Sequence, residues 1–129
     1  MKIEHVAIWT HDLERLRQFY ETYFGGAAGT KYQNPRTGFQ SYFLTFETGA
    51  RLEIMQMPNI PLSQNDVQKQ FTGLIHMAFS VGSEEVVNQL TERLRANGFP
   101  ILDGPRRTGD GYYESVTLDP DGNRIEITI

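Results

Sequence analysis

The chain has 129 residues, enough for one full domain with a real core, and composition ordinary for a globular protein. A net charge of −4 with scattered Lys and Arg argues against a nucleic-acid partner, and the absence of cysteine excludes disulfides and thiolate ligands, so any metal site must use nitrogen and oxygen donors. No apolar run approaches membrane-spanning length and no signal peptide opens the chain, which favours a cytoplasmic protein with no membrane partner.

Residues 2–9 are rich in β-branched and aromatic side chains and predict a strand. Thr10 and Asp12 are candidate caps for an amphipathic helix over residues 13–24, stopped by Gly25 and Gly26. Residues 30–33 read as a short strand before an Asn-Pro loop. Residues 40–48 and 51–57 read as a hairpin turning near Gly49. Residues 58–70 are polar, carry two prolines and lack a clear period, so they read as a linker. The order then repeats. Residues 74–81 predict a strand. Ser83 caps a helix over residues 84–97, ended by Gly98. Residues 100–102 form a short strand and residues 103–111 a loop. Residues 112–118 and 124–129 are strands joined by the turn string DPDGN. The reading is one domain over residues 1–129 in the α+β class, built as βαβββ twice. Its first module spans about residues 1–57, the linker 58–70 and the second module 71–129.

The repeat carries chemistry. IEHVAIWT places His5 in the first strand, and LIHMAFSV places His76 in its counterpart 71 residues later. Glu53 in ARLEIM follows His5 by 48 residues, and Glu126 in NRIEITI follows His76 by 50. Strand side chains alternate between faces. Ile3, His5, Ala7 and Trp9 therefore share a face opposite Val6 and Ile8. His76 shares one with Ala78 and Ser80, opposite Met77 and Phe79. Glu53 lies opposite Leu52 and Ile54, and Glu126 opposite Ile125 and Ile127. The apolar rows should pack under the helices, leaving all four polar residues on the far faces. A strand histidine alone is usually an ordinary hydrogen-bonding residue, and a glutamate there is usually solvated. Two halves placing the same types at the same element and parity is a far more specific signal. Imidazole nitrogen with carboxylate oxygen suits Zn²⁺, Ni²⁺, Co²⁺, Mn²⁺ or Fe²⁺. Four such ligands would leave two positions of a six-coordinate ion open and make the site net neutral.

The strings HVAIWTHDLERLRQFYETYFGG, ARLEIM, LIHMAFSV and LDPDGNRIEI resemble the vicinal oxygen chelate superfamily, and within it the glyoxalase I-like proteins of the glyoxalase/bleomycin resistance/dioxygenase group, over essentially the whole chain. The resemblance implies paired βαβββ modules forming a cupped mixed sheet around a divalent metal ion held by His5, Glu53, His76 and Glu126. It also implies a homodimer, in which a site can take ligands from one chain or from two. Ring-cleaving dioxygenases and fosfomycin-modifying enzymes resemble a His-His-Glu pattern. Epimerases of the superfamily typically carry Gln at the place of Glu53, and bleomycin-sequestering members generally lack the ligands. His-Glu-His-Glu looks most like glyoxalase I. One departure stands out. Glyoxalase I usually carries, four residues after the first histidine, an arginine that holds glutathione, and this chain has Trp9 there. A charge-assisted bond worth about 1.5–3 kcal/mol is lost with it.

The function these readings imply is a metal-dependent lyase or isomerase. It would act on a small vicinal-oxygen substrate through an enediolate, with Glu126 or Glu53 as the catalytic base. The alternatives are an epimerase, a dioxygenase, or a non-catalytic protein that sequesters a small aromatic compound or antibiotic. Trp9, Arg51, Met55 and Arg124 are the candidate substrate-binding residues. Trp9 offers an apolar wall, and Met55 and Met57 an adaptable one or ordinary filler. Arg51 and Arg124 each precede a ligand glutamate by two residues. They either anchor an anion or shield the neighbouring carboxylate. One of Tyr112 and Tyr113 should face the cavity and the other the core.

Overall fold

Strand β1 (His5–Trp9) hands the chain to helix α1 (Leu13–Phe24) through a capped turn. The Asp12 carboxylate accepts the Arg15 backbone N–H at 3.0 Å, and the Thr10 hydroxyl accepts that of Asp12. The helix stops at Gly25, whose φ of 67° is left-handed and suits a residue without Cβ. Leu13, Leu16, Phe19 and Tyr20 recur at helical spacing and are buried. They pack toward β4 (Phe39–Thr45) and β5 (Arg51–Gln56), whose Leu44, Leu52 and Ile54 are buried too.

The computed structural model describes residues 1–129 and divides them into two compact units, Met1–Ser63 and Gln64–Ile129. In the first, the sheet order is β1-β5-β4-β2, with β2 (Ala27–Ala28) at the end and β3 (Tyr32–Asn34) also paired to β4. β1 runs parallel to β5 and places Ala7 beside Glu53 and Trp9 beside Met55. β4 and β5 are antiparallel, with Phe43 opposite Glu53 and Ser41 opposite Met55.

The second unit repeats the plan. Its sheet order is β6-β9-β8-β7, from β6 (His76–Ser80), β7 (Ile101–Arg107), β8 (Tyr113–Leu118) and β9 (Arg124–Thr128). β6 runs parallel to β9, with His76 beside Arg124 and Ala78 beside Glu126. Helix α2 (Glu84–Ala96) is capped by the Ser83 hydroxyl, which accepts the Val86 N–H. Val87, Leu90 and Leu94 are buried, as are Ile125 and Ile127 of β9. Each such aliphatic side chain contributes about 1.5–3 kcal/mol by leaving water. One polar pair is buried with them: the Thr91 and Ser115 hydroxyls bond at 2.6 Å, joining α2 to β8. The DPDGN turn closes on Asp119, whose carboxylate accepts the backbone N–H groups of Asp121 and Asn123 and the Asn123 amide.

The two mixed sheets and two helices are the α+β arrangement expected. Several details differ from the sequence reading. β2 was not expected. Residues 103–111 were expected to be loop, yet β7 runs on to Arg107. The Gly104-Pro105 pair looks like loop chemistry, but β7 is an edge strand and its pairing with β8 shifts register on either side of Asp103. Irregular edges of this kind accept proline, because the missing N–H faces no partner.

Candidate metal centre

His5 and Glu53 lie on neighbouring strands of the first sheet, with His5 Nε2 3.8 Å from the Glu53 carboxylate. His76 and Glu126 occupy the same positions in the second, with Nε2 3.2 Å from the carboxylate. The alternation argument explains both pairs. Leu52 and Ile54, like Ile125 and Ile127, turn into the helix-packed side, so the intervening glutamate must point the other way. Both glutamates are largely covered, at 15% and 21% side-chain exposure. Two donors bound about 2.1 Å from one cation at cis or tetrahedral angles lie about 3.0–3.4 Å apart. The second pair already has that separation, and the first needs only a small side-chain adjustment. Neither unit gathers a group of three or more His, Asp or Glu side chains fit to hold a metal alone.

His5 has a further support. The Glu4 carboxylate contacts its Nδ1, which leaves Nε2 as the free donor on the Glu53 side. Glu4 is itself held by the Arg51 guanidinium, with Nε donating at 2.8 Å. The bonds from His5 and Arg51 keep the Glu4 carboxyl below the usual carboxylate range. Arg51 also lies 4.1 Å from the centre of the Phe43 ring. Its partner is therefore Glu4 and not Glu53. Arg124 donates from Nη2 to the Val67 carbonyl at 3.0 Å and so fixes the segment before β6.

Trp9 and Met55 stand side by side in the first sheet, and Phe39 meets Trp9 edge-on at 6.0 Å between ring centres. The tyrosine question resolves. Tyr113 donates its hydroxyl to the Asn88 amide oxygen on α2 at 2.9 Å, so it faces the helix; Tyr112 precedes β8 and is exposed.

The sequence singled out neither Arg106 nor Glu114. Arg106 and Glu114 face each other across β7 and β8. Register puts Glu114 opposite Thr128 and therefore on the face that carries Glu126. Arg106 is bound to Asp103, with Nε donating at 2.8 Å, and that bond holds the Asp103 carboxyl below its usual range. Burial, and then the charge of Glu126, push the Glu114 carboxyl up. The bulged register of β7 hid this face from any period-two reading.

Two units share one plan, with an extra short strand, β2, in the first, and each carries one His–Glu pair on its first and last strands. The chain belongs to the Glyoxalase/Bleomycin resistance protein/Dioxygenase superfamily, whose family model matches residues 2–127. It is similar to the metallothiol transferase FosB of Lysinibacillus sphaericus (strain C3-41), at 30% identity over 96% of this chain and 79% of that one. It is also 26% identical to YqjT of Bacillus subtilis (strain 168), over 97% of this chain and 96% of that one. Among solved structures, the trypanothione-dependent glyoxalase I of Leishmania major shares the fold, with a TM-score of 0.76 and 24% identity over 98% of this chain and 85% of that one. No helix is long and apolar enough to cross a membrane.

Proposed function

We propose that the chain is a divalent-metal-dependent enzyme of glyoxalase type, a lyase or isomerase for a small substrate with two neighbouring oxygens. The observation that carries this reading is the matched pairs, His5 with Glu53 and His76 with Glu126, each within a few tenths of an ångström of the separation that neighbouring ligands of one ion need. The four donors would hold one ion, chosen among Zn, Ni, Co, Mn and Fe, with both pairs drawn from one chain or each from a different chain of a homodimer. When bound, the cation supplies Lewis acidity to the substrate's oxygens. The remaining work falls to side chains. Glu126 or Glu53 takes the proton from the carbon next to a carbonyl and returns it to the neighbouring carbon. Glu4 keeps the His5 ring in one orientation while this happens. Trp9 and Met55 line the first unit's share of the substrate site, and Arg124 borders the second unit's share.

Metal analysis of the purified protein, followed by a screen of hemithioacetals, tests the reading. About one equivalent of divalent metal per chain and isomerisation that stops on chelation are expected. Protein that carries and takes up no metal would instead favour a sequestering role. A second reading, transfer of a thiol to an electrophilic substrate, draws on the likeness to FosB. It predicts consumption of free thiol, which isomerisation of a hemithioacetal does not require.

A further inference from the structure

One rung crosses all four neighbouring strands of the first unit. Trp9 of β1 pairs with Met55 of β5, Met55 with Ser41 of β4, and Ser41 with Tyr32 of β3. Directly paired residues point to the same side of a sheet. All four therefore stand on the face of Glu53, which lies two residues, about 6.6 Å, further along β5. Phe39 stands above the rung between the two outer rings. Its centre is 6.0 Å from that of Trp9, at an interplanar angle of 89°, and 6.0 Å from that of Tyr32.

This geometry leaves the outer rings open and the middle closed. Trp9 is 39% exposed and Tyr32 55%, whereas Ser41 between them is 3% exposed. The Ser41 hydroxyl makes no hydrogen bond within the chain. A hydroxyl is a donor and an acceptor, so a polar substituent placed beside it can bond it in either role. The rung carries no charged side chain, and Arg51, on the same face, is committed to Glu4. Indole and phenol faces, with a thioether floor, match a flat apolar group far better than an anion.

We propose that Trp9, Phe39, Tyr32, Met55 and Ser41 form a subsite for a planar aromatic group whose hydrogen-bonding substituent reaches the Ser41 hydroxyl. This assigns the substrate class of the site proposed above, and it rests on that reading for its link to catalysis. The group would lie beside Glu53, so the carbon that loses its proton would be attached to, or one bond from, an aromatic ring.

The chain has a single tryptophan, so one indole Nε1–H resonance reports this subsite. Metal-free protein is titrated with phenol, toluene and cyclohexanol while that resonance is followed. Phenol should shift it saturably and bind at least about fivefold more tightly than cyclohexanol. Phe39→Leu and Tyr32→Leu should each weaken phenol about two- to tenfold, with the backbone amide spectrum reporting an intact fold. Should Phe39→Leu fail to fold, Tyr32→Leu at an exposed position carries the test. Ser41→Ala should weaken phenol and leave toluene unchanged. Equal binding of phenol and cyclohexanol, or phenol binding indifferent to both ring substitutions, overturns the proposal. So does an indole resonance that moves with protein concentration and no longer responds to phenol in the assembled form, because the face would then belong to a second copy. Metal plays no part in this titration, so failure of the metal reading would show separately in the metal content.

Discussion

Glu4 holds His5 by its Nδ1, and no side chain holds the corresponding nitrogen of His76. The two copies of the unit thus present the same pair of donors with unequal support. A carboxylate on the far nitrogen fixes the tautomer and the ring plane of a metal-binding histidine. The first pair is the more firmly oriented, although its donors stand further apart.

Glu4→Gln should therefore weaken metal binding by about 10- to 100-fold without abolishing it. Competition against a chelating dye measures the change. Affinity equal to that of the unmodified protein would leave Glu4 only its ion pair with Arg51.

Removal of a ligand should do more. His76→Ala and Glu126→Ala should each strip the metal at neutral pH, as should His5→Ala and Glu53→Ala, with metal content read on the dialysed protein. Full occupancy in both His5→Ala and His76→Ala would eliminate the four-residue site.

Mixing decides whether one chain or two build the site. His5→Ala chains are unfolded and refolded with Glu126→Ala chains. If each site draws one pair from either chain, a mixed dimer holds one intact site and one doubly damaged site; with about half of the dimers mixed on random reassociation, metal binding returns to about a quarter of the normal level. If each chain holds its own site, every site carries one defect and no binding returns.

Turnover of the glutathione hemithioacetal should be poor, because an indole at position 9 cannot pair with a glutathione carboxylate. Trp9→Arg should keep or raise that turnover while weakening aromatic ligands. A kcat/KM of about 10⁷–10⁸ M⁻¹s⁻¹ for the unmodified protein would overturn the argument and require another cation for the carboxylate.

Far from the site, Glu14 accepts from Lys31 at 3.0 Å and from the Tyr42 hydroxyl at 3.1 Å. The Lys31 bond leads the causes that lower its carboxyl pKa. A depressed folded-state pKa stabilises the fold fully above the ordinary value of 4.5, and that contribution is lost as pH falls through the lower folded value. Glu14→Gln should be less stable than the parent at neutral pH, and the gap should close as the solution is acidified. The gap should be small and should shrink in salt, because the group is near the surface. Urea midpoints across that range check it.

The His–Glu pattern was legible because strand alternation is strict where one row is aliphatic, as Leu52–Ile54 and Ile125–Ile127 are. The first helix was legible to the residue from its cap, its spacing and Gly25. Other features were not. Gly104 and Pro105 carry loop chemistry inside an edge strand, so β7 and the face of Arg106 went unread. The run over β4 is apolar on both sides, Phe39 and Phe43 on one and Tyr42 and Leu44 on the other, so parity could not single out Ser41. The pairing of Glu4 with His5 joins sequence neighbours, which alternation would place on opposite faces. Only side-chain reach brings them together.

Trp9 and Ser80 end equivalent strands, and Met55 and Thr128 stand beside them at equivalent positions. Duplication thus left two platforms whose donor pairs agree while their rims have parted, one aromatic and one hydroxylic. Each rim is set by the strands of its own sheet. Ligand preference in this architecture is therefore a trait that evolution, or a designer, can rewrite on one repeat while the other keeps the chemistry.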